Sequence, residues 1–219
     1  MSTDVKERGS DIGLAVDTGR AVLARTPSEL VWIVGLAAVF FSGIYFVSDV
    51  IEFAQGGFST GQLLLTYVGE AAIPLFVIGL YAVQRPEIGR LGLAGAVGYA
   101  YTYTFFTGSV VFALAEHTRN WDALVHRMGP LISIHGVLMV LAGLAFGWAV
   151  VRARVLPRWT GVMLMAGVVL AAGSSGLPEV VQMVAAGVRA VAFAAMGISA
   201  LFARRAGLPS RRPGQLMRW

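Results

Sequence analysis

The stretch from Pro178 to Ala203 is apolar and long enough to cross a bilayer, yet it carries Arg189 near its middle. An uncompensated cation at the bilayer centre costs between about 3 and 17 kcal/mol, depending on the method of measurement. Whatever this chain folds into must give Arg189 a partner, a water-filled cavity, or both. The full set of apolar runs covers residues 29–53, 62–83, 91–115, 130–151, 159–177 and 179–203. Each is close to the ~20 residues that a ~30 Å hydrocarbon layer requires. The expected fold is all-α: a polytopic integral membrane helical bundle with six transmembrane helices over 29–203. Gly173-Ser174-Ser175-Gly176 weakens the end of the fifth run.

Composition agrees. The 219 residues are 57% hydrophobic and only 13% charged, against about 25% charged in soluble domains. No cysteine is present, so disulfides and thiolate metal sites are excluded. The net charge of +5 does not point to nucleic acid, because the basic residues sit in short segments between apolar runs. Residues 1–28 form the expected cytoplasmic N-terminal segment, and its first residues show no cleavable signal peptide. Ile12, Val16, Val22 and Leu23 fall near helical spacing, which fits either a short helix on the membrane surface or an unstructured tail. Thr26-Pro27-Ser28-Glu29 reads as an N-cap, a proline at the first helical position and a capping-box glutamate.

Orientation follows from arginine and lysine. Lys6, Arg8, Arg20 and Arg25 precede the first run. Arg85 and Arg90 join the second to the third; Arg152, Arg154 and Arg158 join the fourth to the fifth. Arg204, Arg205, Arg211, Arg212 and Arg218 make 204–219 a basic tail. The opposite side has only Arg119 and Arg127. The positive-inside rule places both termini in the cytoplasm. Gly79–Arg85 and Gly147–Arg152 also parallel each other, which fits a duplicated hairpin or a shared topological constraint.

Gly89-Arg90-Leu91-Gly92-Leu93-Ala94-Gly95 and Arg154-Val155-Leu156-Pro157-Arg158-Trp159 each open a helix at the basic face. On these motifs the chain resembles a broad group of small, poorly characterised multi-pass membrane proteins of high-G+C bacteria. The resemblance implies a bacterial inner-membrane location and covers most of the six-run region. Arg189 departs from that group's apolar last helix.

Depth can be estimated at 1.5 Å per helical residue. Arg189 should lie about 15 Å and Glu70 about 12 Å below the less basic face, so the two are expected to pair directly or through water. Glu179, Gln182, Ala186 and Arg189 share one helical stripe; Ser42, Tyr45, Asp49 and Glu52 repeat that spacing on the first helix. Both stripes are expected to face the interior, where charge is less costly than against lipid. Tyr99, Tyr103 and Thr107 share a face of the third helix, for core packing or for an apolar ligand. His135 should lie about 7 Å deep, suited to hydrogen bonding or proton exchange. The pattern of His117, His126 and His135 matches no metal-ligand spacing, and no cofactor motif occurs. Walker-type, G-x-S-x-G and Asp-rich diphosphate motifs are also absent.

The functional expectation is an enzyme acting on a lipophilic small molecule in an outer-half cavity. A carboxylic acid in an apolar chamber stays protonated near neutral pH and can serve as a general acid. Polyenes and their epoxides suit such a site, since aromatic faces stabilise the cation formed. In size, multi-helix form and buried acids the chain resembles membrane-bound terpene cyclases. Glu70 or Asp49 is then the acid and Glu179 a second carboxylate, with Tyr103 stabilising the cation and Arg189 orienting the substrate. Tyr99, Tyr45, Gln182, His135 and Glu52 complete the expected substrate-binding set. Membrane lipids are the other expected partners. The alternatives are a non-catalytic accessory membrane protein and a small proton-coupled transporter.

Overall fold

The computed structural model of the chain describes residues 27–174 and 176–207. The expected N-terminal surface segment lies outside these residues, as does the basic tail beyond Gly207. Among the described residues there are seven helices and no strand: α1 (Ser28–Gln55), α2 (Thr60–Val83), α3 (Gly89–Ala115), α4 (Trp121–Met128), α5 (Pro130–Ala153), α6 (Arg158–Gly173) and α7 (Glu179–Gly207).

Local chemistry sets the boundaries. Pro27 occupies the N-cap position of α1 with no side-chain cap, so the helix begins one residue later than the capping motif predicts. Gly56 ends α1 in the left-handed conformation, where its missing Cβ removes the steric penalty. Ser59 caps α2 by accepting a hydrogen bond from the Gln62 backbone N–H. Asn120 does the same for α4 through Ala123, and Pro130 opens α5.

The long helices form a closed ring. In order around it stand α1, α2, α3, α5, α6 and α7, and α7 packs back against α1. Short connections make successive helices antiparallel. Small residues allow the closure: a Cβ on Gly197 would lie 2.5 Å from the carbonyl oxygen of Gly35. All six expected runs are therefore helices of one bundle. Four of them (α1, α2, α5 and α7) are long and apolar enough to cross a membrane. α3 has the length but is diluted by Tyr99, Tyr101, Tyr103, Thr102, Thr104, Thr107 and Ser109. α6 has 16 residues, about 24 Å at 1.5 Å per residue. Ile33, Phe40, Leu75, Leu141 and Phe202 are each more than half exposed on the outside of the ring. That apolar belt is what a bundle solvated by lipid presents.

The two ends of the ring differ. One carries Arg85, Arg90, Arg152, Arg154 and Arg158 in or beside its turns. Behind them Val31, Phe76, Leu80, Phe146, Leu164, Phe193 and Met196 fill the interior and are fully buried. At the other end Arg127 donates to the Glu116 carboxylate at 2.9 Å, an exposed pair worth little. The Phe58 backbone N–H donates to the Arg119 carbonyl at 2.7 Å, tying the α1–α2 turn to the loop before α4. α4 was not anticipated; it lies across this second end.

Candidate functional site

The half of the ring nearer α4 is hollow. A cavity of about 980 Å³ reaches from that end to the middle of the bundle and stops at the packed core. α1 presents Tyr45, Asp49 and Glu52 to it, and α2 presents Gln62, Thr66 and Glu70. α3 contributes Tyr103, Phe106 and Ser109, and α7 contributes Gln182, Met183, Ala186 and Arg189. The spacings of three, four and seven residues put each set on one inward face.

Arg189 lies at the floor, about 15 Å along α7 from its first residue. Its Nη2 donates to the Tyr45 hydroxyl at 3.3 Å. The guanidinium carbon stands 5.4 Å from the centre of the Tyr45 ring and 5.8 Å from that of Tyr103. The two rings meet edge to face at 6.3 Å. Cation–π contacts of this kind contribute about 0.5–2 kcal/mol each.

The expected direct pairing of Glu70 with Arg189 does not form. Both residues reach the same cavity, but ring order decides the neighbour. α1 stands between α2 and α7, and its Tyr45 takes the place next to Arg189. Tyr45 is also the shared neighbour of Arg189 and Glu70. The guanidinium therefore touches a phenol and two ring faces directly, with the Asp49 and Glu70 carboxyl groups nearby but beyond ion-pair distance.

The carboxyl groups keep unused capacity. Asp49 Oδ2 and Glu70 Oε2 are buried and have no hydrogen-bond partner in the protein, and neither does the Tyr103 hydroxyl. A buried polar atom left unsatisfied costs about 1–3 kcal/mol, so this lining suits an occupant that brings polar atoms of its own. Nearer the mouth Gln62 Nε2 donates to Glu52 Oε2 at 3.3 Å and to Thr66 Oγ1 at 3.0 Å. The first of these joins α1 to α2 and braces the rim, while the second lies within α2. Gln182 Nε2 donates to the Leu177 carbonyl at 2.9 Å, fixing the turn into α7.

Two glycines set the positions of the floor residues. A Cβ on Gly69 would lie 2.9 Å from Tyr45 Cβ, and one on Gly167 would lie 2.9 Å from the Arg189 backbone nitrogen. Gly167→Leu should push α6 from α7 just where Arg189 is held. We expect a loss of about 1–3 kcal/mol from overpacking, read as an earlier loss of helical signal in denaturant. Unchanged stability would show that the close approach at Gly167 does not matter.

The remaining expected residues lie elsewhere. Tyr99 is fully buried beneath the floor, against Tyr103 at 5.1 Å and Phe193 at 5.8 Å between ring centres. His135 stands outside the cavity, between α3 and α5. Its ring stacks on Phe105 at 3.6 Å, its Nδ1 bonds the Leu131 carbonyl at 2.8 Å, and its Nε2 meets the Tyr101 hydroxyl at 3.1 Å. A carbonyl only accepts, so Nδ1 carries a proton and donates it to Leu131. Glu179 begins α7, and its side chain lies outside the described residues. No group of three or more metal-ligating side chains occurs among the described residues.

Sequence reasoning missed Trp121 and Asp122, which line the mouth from α4, and Thr66 and Ser109 on the walls. Asn120 before an acidic first turn was the available signal for α4. No protein-family model, no curated protein and no solved structure matches this chain.

Proposed function

We propose that the chain is a six-span integral protein of a bacterial inner membrane, with both termini cytoplasmic and the cavity opening on the outer side. The arginines gathered at the packed end support this orientation. We further propose that it is an enzyme for lipid-soluble, isoprenoid-type substrates, using a carboxylic acid for cyclisation or isomerisation. The observation that carries the reading is the floor of the cavity: two carboxyl groups with unpartnered oxygens, in a blind chamber walled by Phe106, Val110, Met139 and Val168. Its volume of about 980 Å³ stands at the upper end of the ~300–1,000 Å³ range of small-molecule sites.

In this reading a carboxyl O–H gives its proton to an alkene carbon or an epoxide oxygen. With the epoxide, the C–O bond breaks as the proton arrives, and a neighbouring π pair forms the new C–C bond. Loss of a proton from the resulting cation to the carboxylate restores the acid, so no co-reactant is consumed. Asp49 is the proton donor, because Glu70 shares Tyr45 with Arg189. Glu70 supplies negative charge opposite the developing cation. Arg189 already faces the Tyr45 and Tyr103 rings, so its role is to hold a substrate oxygen rather than to leave Tyr103 free as a cation stabiliser.

The packed interior at the basic end supports chemistry over transport, since the cavity has no continuation through it. The test is incubation of purified protein with isoprenoid alkenes and their epoxides, with products identified by mass spectrometry. A cyclised or isomerised product of unchanged elemental composition is expected. Uptake into sealed vesicles without any product would overturn the enzymatic reading in favour of transport. Absence of both would leave a structural protein whose polar floor only joins helices.

A further inference from the structure

The wall of the ring is incomplete on one side. Gly167 abuts Arg189 and Gly143 abuts Val168, which fixes the register of α6 against both neighbours. By that register α6 ends level with about Met183 of α7 and Leu138 of α5. α5 then rises about 12 Å past the end of α6, and α7 about 6 Å. Among the described residues, Ser174 and Gly176 to Pro178 lead from α6 to α7 beside this space. This notch is the direct consequence of a 16-residue α6 among helices of 24 to 29 residues.

Exposure follows the same outline. On the far wall of the cavity Leu63, Thr66, Tyr103 and Ala113 are buried. On the notch side Ser133, Val137, Ala172 and Leu177 line the cavity and are exposed as well, Val137 at 61%. Val137 lies about 10 Å along α5 from its start, below the helix end and among lipid-facing neighbours such as Ile134 and Leu141. The axial mouth is different in character. Gln62 and Asp122 stand at its rim and α4 lies over it, so an apolar molecule arriving that way would first have to leave the hydrocarbon.

We infer that the notch above α6, between α5 and α7, is a lateral portal through which an apolar chain enters the cavity directly from the lipid phase. The inference rests on the reading of the cavity as a site for a lipid-soluble substrate. It names that substrate's source: a molecule already resident in the leaflet at the cavity end, admitted chain-first past Val137 and Ala172. Gly136 has no side chain and Ala172 only a methyl group, so little stands in the notch, and Val137 and Leu177 give it an apolar edge.

The absence of cysteine makes the test direct. Ser109→Cys places a single thiol on the cavity wall contributed by α3. In protein reconstituted into vesicles, its labelling is timed with an uncharged long-chain maleimide that partitions into lipid and with a charged maleimide that stays in water. Ala172→Trp or Val137→Trp in the same chain should slow the lipid-borne reagent by at least about tenfold, as loss of a gated route does. The charged reagent should keep its rate. Leu75→Trp, on an exposed face of α2, should affect neither. Unchanged labelling by the lipid-borne reagent in both portal variants would overturn the proposal. Equal slowing of both reagents would also overturn it, because the two would then share the axial mouth. The experiment reads access and not turnover, so it separates failure of the portal from failure of the enzymatic reading.

Discussion

Asp49→Asn is expected to reduce turnover of an isoprenoid substrate by about 10²–10⁴-fold, the usual contribution of a positioned general acid. KM should change little, because the amide keeps the shape of the carboxyl group and loses only the acidic proton. Glu70→Gln should cost less, since the proposed role of Glu70 is to supply charge and not to deliver the proton. Neither change should unfold the protein. Asp49 Oδ2 and Glu70 Oε2 have no protein partner to lose, an amide oxygen can keep the Glu70 contact with Tyr45, and neither acid stands at ion-pair distance from Arg189. Thermal denaturation in detergent checks that point alongside the kinetics. If both amide variants turn over within about twofold of the native chain, general-acid catalysis at this floor is wrong. If Glu70→Gln gives the larger loss, the two roles are reversed while the site stands.

How far the sequence reached is clearest at Arg189. Its cost in hydrocarbon demanded a polar interior, and Tyr45, Asp49, Glu52, Gln182 and Arg189 do line one cavity. Depth was legible because helical rise is constant. Azimuth was not: which helix stands beside which depends on the order of the ring. That is why Tyr45 of α1, and not Glu70 of α2, bonds the guanidinium. His135 makes the hydrogen bonds expected of it, but its face meets Phe105 and Tyr101 of α3 and not the cavity. α4 escaped detection because eight residues give barely two turns of periodicity. The weak end of the fifth run was visible as Gly173-Ser174-Ser175-Gly176, yet its consequence, a gap in the wall, needed the register against α5 and α7.

Tyr45→Leu should lower stability by about 2–5 kcal/mol, combining a lost hydrogen bond to a charged group with a lost ring face under the guanidinium. It leaves the buried cation with the Tyr103 ring face and the more distant carboxyl groups of Asp49 and Glu70, and a buried charge short of close partners is far more costly than a missing one. Adding Arg189→Met to the same chain should therefore recover at least half of the loss, because methionine fills a similar volume without charge. Arg189→Met alone should be near neutral for folding while removing the group proposed to hold a substrate oxygen. Unfolding of the four chains by denaturant in one detergent gives the cycle, with tryptophan fluorescence as the signal. The two single changes and the double change must depart from additivity by about 1–3 kcal/mol, as contacting residues do. Additive losses would show that Tyr45 supports the fold by packing alone, and the account of Arg189 as a cation held by phenol and ring faces would be lost with it.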